Sequence, residues 1–62
     1  MKSELNIDDP DGFYDALVSA HEGLSEQESA DLDARLVLLL ANQVGDTNVL
    51  LECIAAARAA RG

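Results

Sequence analysis

A chain of 62 residues with twelve Asp and Glu against four Lys and Arg, one Cys, one His and no Trp has room for a single domain, since domains usually hold about 50–200 residues. A formal net charge of −8 repels phosphate backbones, and no Lys/Arg cluster supplies counterion release, which argues against nucleic acid and anionic membrane surfaces as partners. The apolar run Leu36 to Ala41 falls far short of the roughly 18–20 residues a membrane span needs. Met1-Lys2 leads into Ser-Glu-Leu-Asn rather than an apolar h-region, and a lone cysteine forms no internal disulfide. A cytoplasmic protein is the expectation.

The first element opens at Asp8-Asp9-Pro10. An Asp cap with Pro at the first helical position fits, because Pro lacks the N–H that would go unpaired there. The spacing predicts a helix to about Glu22, with Gly23 supplying the left-handed residue past its end and Leu24 the apolar contact that follows. Met1–Ile7 reads as a partly ordered lead-in, with Leu5 or Ile7 folding back near Phe13, ahead of one domain over 8–62.

The second start is the sharpest local signal. Ser25-Glu26-Gln27-Glu28 is a capping box, in which the Ser hydroxyl and the Glu carboxylate each satisfy an orphan backbone N–H. This helix should run to about Val44 and end at Gly45. The third, capped by Asp46 or Thr47, continues through Leu50 and Ile54 to an alanine-rich end near Ala60. Short loops favour antiparallel neighbours. The expected fold class is therefore all-α, a three-helix up-down-up bundle with helix two as its spine.

At 100° per residue, Phe13, Leu17 and Ala20 make a one-sided stripe on helix one. Leu50, Cys53, Ile54 and Ala57 make the inner face of helix three. Helix two differs: Leu32, Leu36, Leu39, Leu40 and Val44 fill one side, and Val37, Leu38 and several alanines carry apolar surface round most of the rest. Only a strip with Asp31, Arg35 and Asn42 is expected to be wet, Asp31 and Arg35 pairing at i,i+4. Two short flanking helices do not cover such a circumference. A small chain without disulfide or metal is also short of core. Completion by self-association, or by a constant larger protein partner, is the expected remedy.

Several runs together resemble a known family: Leu5-Asn6-Ile7, Asp11-Gly12-Phe13-Tyr14, Ala20-His21-Glu22-Gly23-Leu24-Ser25, Ala34-Arg35-Leu36-Val37-Leu38-Leu39-Leu40-Ala41-Asn42 and Val44-Gly45-Asp46. The chain, from about Leu5 to Arg58, is similar to a bacterial family of very short proteins classed only as a domain of unknown function. Such proteins tend to be encoded near flavin-dependent aromatic hydroxylases and catabolic enzymes. The resemblance implies an accessory role beside such an enzyme and assigns no catalytic residue.

Few residues invite chemistry. His21 flanks the core stripe on the side of Tyr14, where it could move a proton or touch a partner; the plainer reading is a boundary histidine favoured by the dipole at a helix C-terminus. Cys53, on the expected inner face, reads as a small buried hydrophobe rather than a nucleophile. No second His or Cys stands at ligand spacing, so no metal is expected. Asp8/Asp9 and Asp31/Asp33 read as caps and solvated surface. Ser25 invites comparison with acyl carrier proteins, whose serine sits in an Asp-Ser-Leu context on a longer chain; here it lies in Leu-Ser-Glu and serves the capping box.

The functional expectation is a non-enzymatic interaction module without cofactor or metal, working as a homodimer or as a subunit of a larger protein. Val37, Leu38 and Leu51 are its principal contact residues. Tyr14, Val18 and His21 form a second patch, and the acids of residues 8–33 steer the encounter. The alternative is a small ligand binder or minor enzyme using His21 and Tyr14 in a pocket formed at a dimer interface.

Overall fold

The computed structural model describes residues 1–60, of which three helices form the whole regular structure: α1 (Pro10–Ala20), α2 (Glu26–Val44) and α3 (Thr47–Ala59). The architecture is all-α, as expected, and the helix caps explain its boundaries. Asp9 caps α1, its carboxylate accepting from the Gly12 N–H at 3.1 Å, with Pro10 at the first helical position. The helix ends at Ala20, two residues before the expected Glu22. The His21 N–H turns back to the Val18 carbonyl at 3.0 Å and the Glu22 N–H to Ser19 at 3.2 Å. These i to i−3 bonds tighten the chain out of the α-helix, and Gly23 then takes φ +75°.

Both bonds of the capping box form at α2: the Glu28 N–H donates to Ser25 Oγ at 3.1 Å, and the Ser25 N–H to Glu28 Oε1 at 2.9 Å. At the other end Gly45 adopts φ +77° and donates to the Ala41 carbonyl at 2.9 Å. Asp46 rather than Thr47 caps α3, since its carboxylate accepts from the Asn48 and Val49 N–H groups at 3.0 and 3.3 Å. The lead-in reaches α3, where the Met1 ammonium lies 2.7 Å from Glu52 Oε1. Leu5 and Ile7, either of which was expected to fold back near Phe13, are both exposed, Leu5 the more so.

The helices stand apart. Among the described residues no Cα of α1 comes within 8 Å of one in α2 or α3, and only α2 and α3 approach that closely. Packed helices have axes about 8–10 Å apart. The radius of gyration is 13.1 Å, against about 10.5 Å for a closed domain of this length. No described residue is buried. Leu17, Leu32, Leu36, Val49 and Leu50 are half-buried. No helix of the described chain is long and apolar enough to cross a membrane.

Candidate functional site

The spacing of the helices leaves two apolar grooves, on roughly opposite sides of α2. In the first, of about 450 Å³, the predicted stripe of α1 (Phe13, Leu17, Ala20) looks across at Leu32, Leu36 and Leu39 of α2. The two stripes therefore face each other as the periodicity requires, without touching closely enough to bury either. Arg35, placed by the wheel on a wet strip, lines this groove as well. Asp31 accepts from Gln27 Nε2 at 2.9 Å, in place of the expected pairing with Arg35.

The second groove, of about 410 Å³, runs between α2 and α3. Val37, Leu38, Leu40 and Val44 form one wall, Cys53 and Ile54 the other, and no charged side chain lines it. Val37 is 62 % exposed, Leu38 71 % and Leu51 57 %. The fold brings Val37 and Leu38 together on the groove wall, while Leu51 lies on α3 outside the groove lining. Cys53 is exposed, which corrects the expectation of a buried thiol. Helical periodicity places it correctly on the side of α3 that fronts α2, but that side is an open groove rather than a core. Ile54 on this groove and Leu39 on the first, both largely exposed, were not singled out as contact residues.

On α1, Tyr14 and Val18 are exposed and His21 is half-buried at the end of the helix. His21 Nδ1 lies 2.7 Å from the Leu17 carbonyl and Nε2 2.6 Å from Asp33 Oδ1. Both partners accept, so the imidazole satisfies both contacts only when both ring nitrogens carry a proton. The Leu17 carbonyl first and the Asp33 carboxylate second raise the His21 pKa above its ordinary value. When protonated, the ring clasps the end of α1 to the face of α2 through these two contacts. Asp33, taken from sequence for solvated surface, is the missed partner. Twelve residues separate the pair, so no local spacing signals it.

The extent of exposed surface is the most informative quantity. A folded monomer of this length exposes about 3,900 Å²; this chain exposes 5371 Å². Roughly 1,500 Å² of surface that an ordinary domain hides therefore stays open. A family model described as "Protein of unknown function (DUF2783)" matches residues 1–59, and the chain belongs to that family. No curated protein and no solved structure matches it.

Proposed function

We propose that this DUF2783 member is a helical interaction module, non-enzymatic, whose working form is a complex in which another protein chain covers the grooves beside α2. One observation carries the reading: the chain leaves 5371 Å² exposed and no described residue buried, while obligate interfaces bury about 2,000–5,000 Å² in total. Val37 and Leu38, with Leu51 nearby, are the principal contact residues. Tyr14, Val18 and His21 make the second patch. The ten acids among residues 1–33 steer a partner and keep the free chain soluble.

A cytoplasmic accessory subunit of a larger bacterial enzyme, such as a flavin-dependent aromatic hydroxylase, is the form this role takes if the family resemblance guides it. The ligand-binding or enzymatic alternative, built on His21 and Tyr14, is less well supported, because both His21 nitrogens are already engaged by Leu17 and Asp33.

The test is to follow helicity and binding of an apolar dye by the purified chain from nanomolar to high micromolar concentration. Dye binding or lost helicity when the chain is dilute, reversed on assembly with itself or a partner, is expected. A dilute monomer that unfolds cooperatively and binds no dye would overturn the reading.

A further inference from the structure

The groove between α2 and α3 is the better guide to what covers the chain. Its lining holds no charged side chain, and Val37, Leu38, Val44 and Ile54 are each more than half exposed. It also lies in the less charged half of the sequence. Residues 1–33 carry ten acids against Lys2, whereas residues 34–62 carry Asp46 and Glu52 against three arginines.

Resting on the module reading above, we propose that the occupant of this groove is a second copy of the same chain, related by a two-fold axis, with α2 and α3 of each copy forming one four-helix core. Two arguments favour a copy over a different protein. A basic partner steered by the acidic half finds no charge to read in this groove, whereas two neutral apolar faces are self-complementary, as an isologous contact requires. No carboxylate lines this groove, so two copies meeting there set no acid of the lining against another, and charges more than about 8 Å apart are screened at physiological salt.

Sedimentation of the full chain, thiol labelling of Cys53 and hydrogen exchange test this together. The expected results are a dimer mass and Cys53 labelling slowed roughly tenfold or more relative to the dilute chain. Exchange protection over residues 37–44 and 50–54 should disappear on dilution. Leu38→Glu should weaken the dimer roughly hundredfold and restore labelling, while Ser19→Gln, lining neither groove, leaves the dimer intact. Because the acidic halves repel, added salt should tighten the dimer, the opposite of its effect on a complex with a basic partner. Hydrogen exchange uses the wild-type chain and decides the matter even if Leu38→Glu does not fold.

A dimer with Cys53 freely labelled, unprotected over 37–44 and indifferent to Leu38→Glu would overturn the assignment of this face. A monomer at all concentrations that binds apolar dye would overturn self-association and leave the module reading standing. A monomer that binds no dye would end both.

Discussion

His21 Nε2 meets Asp33 Oδ1 at 2.6 Å across the α1–α2 turn, while the same ring's Nδ1 holds the Leu17 carbonyl. A group whose folded pKa is raised stabilises the fold fully below its unfolded value near 6.5, and that contribution is lost as pH rises through the folded pKa. The clasp should therefore tie α1 to α2 fully below the ordinary imidazole pKa and loosen as pH rises through the raised one. Asp33→Ala should move the His21 titration, followed by NMR, part of the way back toward its ordinary value, because the larger Leu17 contribution survives. An unchanged titration would show that Asp33 does not hold the ring.

The capping box supplies a second prediction. Ser25→Ala should cost about 1 kcal/mol in chemical denaturation, as loss of a serine cap does. The Ser25 N–H first, then its hydroxyl, depress the Glu28 pKa. The substitution keeps the N–H, so the Glu28 pKa should rise only part of the way. Glu28 contributes above its ordinary pKa, and that contribution is lost as pH falls through the depressed value.

Gly12 offers a double-mutant cycle. A Cβ built there collides with the Asp9 carboxylate, which accepts the Gly12 N–H. Alanine at this first-turn position gains about 0.5–1 kcal/mol of helix propensity and displaces a cap worth about 1 kcal/mol. Gly12→Ala should thus be close to neutral in the wild-type chain and stabilising by about 0.5–1 kcal/mol beside Asp9→Ala. Equal effects in both backgrounds would rule out the coupling.

The Met1 ammonium provides a surface control. Hydrogen bonding to Glu52 raises its pKa, so Glu52→Gln should make the amine more reactive toward acylating reagents between pH 7 and 8, where more of it becomes neutral. Thermal stability should hardly move, since exposed ion pairs contribute little.

The parts of the fold legible in the sequence are those decided by neighbouring residues. Asp9-Pro10, Ser25 with Glu28, Gly45 and Asp46 each satisfy or terminate a helix end within a few residues, and each does so here. Periodicity also identified the facing stripes of α1 and α2, since Phe13 and Leu17 do look toward Leu32 and Leu36. It did not reveal whether those stripes touch. A wheel assigns Cys53 to a side of α3 but is silent on what stands opposite, and an open groove left the thiol exposed. The His21–Asp33 pair depends on how two helices are angled across a turn, which no spacing within one helix encodes. The two residues missing from the end of α1 reflect the choice between i−3 and i−4 bonding at His21 and Glu22, a small energetic difference at any fraying terminus.

With no side chain fully enclosed among the described residues, the chain holds little structure that does not depend on its contacts. If another chain covers α2 as proposed, folding and recognition draw on the same leucines, and diluting the protein should act on it much as a denaturant would. Its cellular abundance, set against that of the proposed partner, would then help decide whether it persists.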